Sequence, residues 1–259
     1  MGRNRKMAGN VCVRWLGQMG LEVRAGETAV MIDYYASEAP DRLIAPPIPA
    51  GEVKHVQGFL GTHDHLDHMD HEAWKIWAGT CPEAKFVFPE MHREAVLADG
   101  IGADRQLGLN AGGEVRVGEI TVRAIPAAHE FLNPDAQGRY PALQYILEAE
   151  GKRIYHAGDT VRYEGMRPML EAFGPIDLAI VPINGRDAAR YRKDIIGNMT
   201  FQEAADLIGE LNVRKVIPGH WNMFAFNPGD PAAFADYLDA KYPGRTVCLL
   251  PQMMEWVEL

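Results

Sequence analysis

Between Thr62 and His71 the chain reads T-H-D-H-L-D-H-M-D-H, and five of its nine histidines fall between His55 and His71. Titratable groups crowded this closely are electrostatically costly unless a cation sits among them. In extended or loop backbone, residues two apart project to the same side. His63 and His65 can therefore face one metal while Asp67 and His68 turn toward a second. Two ions need more ligands than these, and a catalytic site also leaves a position open for water, so the fold must supply remote donors. Three candidates each sit just beyond an apolar strand: His129 in I-P-A-A-H-E, Asp159 in Y-H-A-G-D-T and His220 in V-I-P-G-H-W. The resulting count places His63, His65 and His129 on one ion and Asp67, His68 and His220 on the other, with Asp159 bridging through its two oxygens. A hydroxide shared by the ions would be the nucleophile, and Asp67 beside it would orient it and handle its proton. His55, His71, His92 and His156 are read as ordinary core or surface histidines.

Elements must carry these side chains to one place. Alternating apolar runs at 11–16, 21–25 and 28–33, punctuated by glycines, predict an antiparallel meander. A proline-rich loop (34–53) follows, then a buried strand (56–62) that delivers the histidine cluster at its end. Helix 71–79, strand 85–89 and helix 90–98 come next. Two strands around Gly118 (114–127) lead to a hairpin (143–156) turning at Glu150 and Gly151. A helix (166–173), a strand (177–182) and a helix opened by Thr200 with Glu203 three residues on, a capping-box signature, come before strand 213–220. Helix 231–240 and strands 245–250 and 253–258 close the chain. Two β-rich halves with strand-helix units predict a single α/β domain over residues 1–259, built as a four-layer α-β-β-α sandwich of two mixed sheets.

The string H-x-H-x-D-H, here His63, His65, Asp67 and His68, followed by a lone His, a G-D and a strand-terminal G-H, resembles the metallo-β-lactamase superfamily. That resemblance spans almost the whole chain and lends His129, Asp159 and His220 most of their weight as ligands. It also places Asp33, after M-I, where a carboxylate would hold a ligand histidine in the right tautomer. Within the superfamily, T-H-D-H-L-D-H-M-D, W-L-G, Y-H-A-G-D-T, N-M-T and V-I-P-G-H-W are similar to the L-ascorbate-6-phosphate lactonase group. The resemblance implies a homo-oligomeric hydrolase with two divalent ions, zinc as the default and manganese as the alternative. Its substrate would be a lactone or ester of a small anionic or phosphorylated molecule. Arg186, Arg190, Arg192 and Lys193, in the loop N-G-R-D-A-A-R-Y-R-K-D, are expected to clamp that anion, and the loop 129–141 to act as a lid. A phosphodiesterase or an acyl-homoserine-type lactonase would share the same site. A di-iron oxidoreductase is the rival from another class.

Composition narrows the partners. A net charge of -9 disfavours nucleic acid, which leaves a small molecule. No run is long enough to span a membrane, and the start M-G-R-N-R-K-M-A-G-N lacks an apolar segment of the secretory type, so a cytoplasmic location is expected. Cys12, Cys81 and Cys248 form neither a disulfide framework nor a zinc motif.

Overall fold

A computed structural model describes residues 10–259; the basic start of the sequence lies outside the described residues. The first sheet-forming half contains β1 (Cys12–Gly17), β2 (Gly20–Ala25), β3 (Thr28–Ile32), β4 (Gly58–Leu60), α1 (His71–Thr80), β5 (Lys85–Pro89), α2 (Arg93–Ala98) and β6 (Gln106–Leu109). The second contains β7 (Glu114–Val117), β8 (Ile120–Pro126), β9 (Leu143–Ala149), β10 (Lys152–His156), α3 (Met166–Glu171), β11 (Leu178–Pro182), α4 (Ala188–Tyr191), α5 (Phe201–Leu211), β12 (Lys215–Gly219), α6 (Pro231–Lys241), β13 (Val247–Cys248) and β14 (Trp256–Glu258).

These strands form two seven-stranded sheets, ordered β14-β1-β2-β3-β4-β5-β6 and β13-β12-β11-β10-β9-β8-β7. Both are mixed. β3 through β6 pair in parallel, as do β10 through β13, while the meanders β1-β2-β3 and β7-β8-β9-β10 are antiparallel.

Alternation along the strands assigns each face. Val13 and Trp15, Leu21 and Val23, Tyr145 and Leu147, and Leu178 and Ile180 all enter the core between the sheets. The alternate residues of the inner strands turn outward to the helices. Phe59 and Phe86 pack with Trp74 and Trp77 of α1, and Phe59 stacks on Trp77 with ring centroids 4.4 Å apart. On the far side Ile146, Tyr155, Ala179 and Val181 meet α5 and α6 through Leu207, Ile208 and Phe234. Buried strands that carry side chains on both faces need helices outside them, and the result is the predicted α-β-β-α sandwich.

The capping box forms as predicted: the Thr200 hydroxyl accepts from Glu203 N, and the Glu203 carboxylate accepts from Thr200 N. Three details differ from expectation. β6 was not predicted, because Q-L-G-L is short and interrupted by glycine. A turn of helix, α4, stands inside the basic loop, started by the Asp187 side chain accepting from Ala189 N and Arg190 N. The last strand crosses back to the first sheet and pairs antiparallel with β1, so the second half does not simply mirror the first. Cys12, Cys81 and Cys248 are free thiols.

Candidate active site

Loops at the ends of β3, β4, β8, β10 and β12 converge at one edge of the sandwich. β4 ends at Leu60 and feeds a tight turn in which His65 N donates to His63 O, while His68 N and Met69 N both donate to His65 O. This turn places His63, His65, Asp67 and His68 around a common point. His129 arrives three residues after β8, Asp159 three after β10 and His220 directly after β12. The approach of Asp159 depends on Gly158, whose φ is +55° and whose hypothetical Cβ would lie 2.8 Å from the Thr62 side chain. No other residue type meets both conditions without strain.

The seven side chains come together. Three overlapping groups, His63 with His65 and His129, His63 with His68 and Asp159, and Asp67 with His68 and His220, each hold their ligand atoms within 4.8 Å of one another. His63 Nε2 is 3.0 Å from His65 Nδ1. Asp159 stands between the outer groups: Oδ1 is 3.3 Å from His68 Nε2, and Oδ2 is 3.0 Å from His220 Nε2 and 3.9 Å from His129 Nε2. Asp67 Oδ2 lies 3.6 Å from both His68 Nε2 and His220 Nε2.

The surroundings fix how each ring points. Asp33, fully buried and in the left-handed region at φ 47°, accepts from Thr62 N at 2.8 Å and Thr62 Oγ1 at 2.7 Å. Its Oδ2 is 2.7 Å from His68 Nδ1, so that nitrogen carries the proton and Nε2 is turned to the cluster. His156 donates from Nε2 to Met19 O and accepts at Nδ1 from Gly158 N, which pins the turn before Asp159. It is a satisfied core histidine, as read from the sequence, yet one that positions a site residue.

The titration of these groups divides the site. Burial, followed by the charges of His68 and His129, drives His63 well below its ordinary value. Burial also lowers His65, and holds His129 down to about 4. These rings present neutral lone pairs. Burial works against charge on His68, but Asp159, Asp67 and Asp33 outweigh it and raise the imidazole well above its ordinary value. Burial likewise opposes ionisation of Asp159, yet His220 and His68 hold that carboxyl well below the usual range.

Both donor chemistry and unsatisfied atoms fit divalent ions. His68 Nε2 and Asp159 Oδ1 are buried and oriented for no hydrogen bond. Such atoms are costly to bury unless something else binds them. The neutral rings of His63, His65 and His129 and the ionised Asp159 are ligand types that borderline cations of the zinc class take, and a cation would displace the proton that the neighbouring carboxylates favour on His68.

Sequence reasoning missed Gln18. It lies in the β1-β2 turn at φ 51°, buried, and its Nε2 donates to Asp67 Oδ2 at 3.0 Å. Its backbone joins the two sheets: Gln18 O accepts from His220 N and Trp15 Nε1, and Gln18 N donates to Asn222 Oδ1. The only signal was its place in G-Q-M-G, a turn between two strands.

A cavity of about 410 Å³ opens over the cluster. His65, Asp67, His129, Asp159 and His220 form its floor; Tyr35, Leu66, Ile195, Ile196, Phe224 and Phe226 form apolar walls, and Asp41 and Asp194 stand with them. The expected anion clamp does not form there, because Arg186, Arg190, Arg192 and Lys193 are all absent from this lining. The guanidinium of Arg186 is taken by both oxygens of Glu203 at 2.7 Å and by Asn198 O at 2.9 Å. That of Arg190 is bound by the carbonyls of Asn184 and Pro228. A loop with unpaired carbonyls and a nearby carboxylate satisfies arginine more closely than an open cleft does. Of the loop 129–141 only His129 lines the cavity; Phe131 is 68% exposed and Tyr140 packs against the core between the sheets. Residues 194–196, at the end of the basic loop, line the cavity.

The superfamily resemblance agrees with direct comparison. Residues 30–221 match the family described as Beta-lactamase superfamily domain. A UPF0173 metal-dependent hydrolase of Thermococcus onnurineus is 31% identical over 227 residues, covering 86% of this chain and 90% of that protein. Among solved structures, a metallo hydrolase from Ignicoccus hospitalis superposes with a TM-score of 0.76 at 21% identity over 96% of this chain and 98% of that one. An isothiocyanate hydrolase from Delia radicum gut bacteria superposes with a TM-score of 0.72 at 17% identity, covering 95% of this chain and 98% of that one. The likeness to the two structures is one of fold. With its fold, its converging histidines and aspartates and these relatives, the chain belongs to the β-lactamase superfamily, among its metal-dependent hydrolases.

Proposed function

We propose that the protein hydrolyses a lactone or related ester whose body is apolar and carries no negative charge. The observation that carries this reading is the cavity itself: ligand-type side chains on its floor, aromatic and aliphatic walls above, and, among the described residues, no lysine or arginine in its lining. An anionic substrate of the ascorbate-phosphate type would be desolvated there beside Asp41 and Asp194 without a countercharge on the wall. The solved isothiocyanate hydrolase, by its name, acts on another small electrophile, which fits a fold that accepts several hydrolysable groups.

His63, His65 and His129 would hold one divalent ion and Asp67, His68 and His220 a second, with Asp159 between them, zinc first and manganese second. When bound, such a pair supplies electrophilic polarisation of the carbonyl and acidifies water toward neutral pH. The chain's own residues do the rest. Asp67, held by Gln18 Nε2, faces the floor of the cavity and is placed to orient the attacking water and take its proton. Phe224 and Phe226, stacked at 5.1 Å, and Tyr35 hold the apolar body and exclude bulk water.

The test compares matched substrates on protein reconstituted separately with zinc and manganese: a neutral alkyl or aryl lactone, the corresponding ester, and L-ascorbate 6-phosphate. Turnover of the neutral lactone is expected to exceed that of ascorbate 6-phosphate. Asp67→Asn is expected to lose about 10²–10⁴-fold in kcat, the range for a positioned proton acceptor. Higher kcat/KM for ascorbate 6-phosphate would overturn the assignment of an uncharged substrate.

A further inference from the structure

Three titratable residues of the opening string stay outside the cluster: Asp70 caps α1, while Asp64 and His71 face each other on the cluster's outer side. His71, the first residue of α1, donates from Nε2 to Asp64 Oδ1 at 2.7 Å and from Nδ1 to Asp99 Oδ2 at 2.5 Å. Asp99 caps the end of α2 and its side chain is 5% exposed. His92 closes the ring: Nδ1 lies 3.6 Å from Asp64 Oδ2, and Nε2 donates to Pro141 O at 2.8 Å. Pro141 precedes Ala142, which bridges to His63.

Asp64 is thus the hub of a clasp that ties the ligand turn to α1, to the end of α2 and to the strand segment paired with His63. It lies between His63 and His65, so its backbone sets the angle between their two imidazoles. We propose that the Asp64–His71–Asp99 clasp is a positioning device that holds His63 and His65 in the geometry needed to bind the ion they share with His129. The proposal rests on the metal-site reading above.

Three observations support it. His71 uses both ring nitrogens as donors, which requires the imidazolium, and the carboxylates of Asp64 and Asp99 push it up to about 10. The clasp therefore stays charged and intact at neutral pH. Its partners stand on separate elements, so the hydrogen bonds fix the turn in space and do more than close it locally. No member lines the cavity, so the clasp acts on the ligands and not on substrate.

Partners of this kind behind metal ligands are worth about 10–100-fold in metal affinity. The experiment measures the two zinc dissociation constants by chelator competition in wild type, Asp64→Asn, His71→Ala and His71→Gln, with the Tm of each metal-free protein alongside. Asp64→Asn and His71→Ala are expected to weaken one zinc equivalent about 10–100-fold and to leave the other within about threefold. His71→Gln, which keeps an N–H for Asp64, should recover part of the loss. The metal-free Tm of Asp64→Asn should fall no further than that of His71→Ala, so that loss of one zinc equivalent alone is not a consequence of unfolding. Wild-type protein that binds no zinc would sink the metal-site reading itself. Variants that bind both equivalents as wild type does, or lose both in proportion to Tm, would overturn the positioning role alone.

Discussion

Gln18 carries no charge and belongs to no ligand motif, yet its amide is the hydrogen-bond donor to the carboxylate proposed to handle the proton. Gln18→Leu removes that donor while keeping the volume. The expected result is a kcat lower by about 10–100-fold, with zinc content unchanged and the pH at half-maximal rate displaced upward, because the freed carboxylate is less readily ionised. An unaltered pH-rate profile would remove Gln18 from the mechanism. The contrast with His63, His65, Asp67 and His68 explains what a single sequence reveals. Imidazoles and carboxylates at two-residue spacing are costly without an ion, so their pattern announces the site, whereas an amide is compatible with any turn. The same logic misdirected the reading of Arg186 and Arg190. Their charge suggested a ligand, but Glu203 and the carbonyls of Asn184, Asn198 and Pro228 already bind both guanidinium groups.

Strands and helices were legible where a physical period or cap was written into them. Thr200 and Glu203 close both ends of a capping box. The alternating runs of β1, β2 and β9 through β12 sort their residues between the inter-sheet core and the helix layers. What escaped was set by contacts distant in sequence. β6 forms because β5 offers it a parallel partner, and β14, expected as a strand, joins the first sheet because β1 has a free edge there. The end of one helix and the start of another also create a pH response. His71 is raised from 6.5 to about 10 by Asp64 and Asp99, with Lys75 and His92 the other titratable groups near these carboxylates. A raised histidine stabilises the fold fully below its unfolded value, while its carboxylates remain ionised, and that contribution fades as the pH rises through the folded value. The Tm difference between wild type and His71→Ala should therefore be largest near pH 6 and shrink steadily toward pH 10. A gap that is constant or grows over that range would show that His71 contributes packing and not charge.

At the scale of the molecule the site is a joint between the sheets. His63, His65, Asp67 and His68 hang from the first sheet; His129, Asp159 and His220 hang from the second. Any ion they share braces one sheet against the other, and its removal should loosen the whole sandwich. With free zinc at about a hundred times its dissociation constant, binding contributes about 2.7 kcal/mol, equivalent to roughly 5–11 °C in Tm for a chain of this size. Thermal melts with zinc and with excess chelator measure it, and superimposable curves would deny the bracing role. The division of ligands also has a consequence in time. A chain that has emerged from the ribosome only as far as His68 carries half a binding site, and the other half arrives last with His220, after most of the second sheet has been made. Because a few ligands on an undocked sheet bind weakly, full metal uptake must wait for the two halves to meet, so the ion is captured at the close of folding rather than serving as its seed.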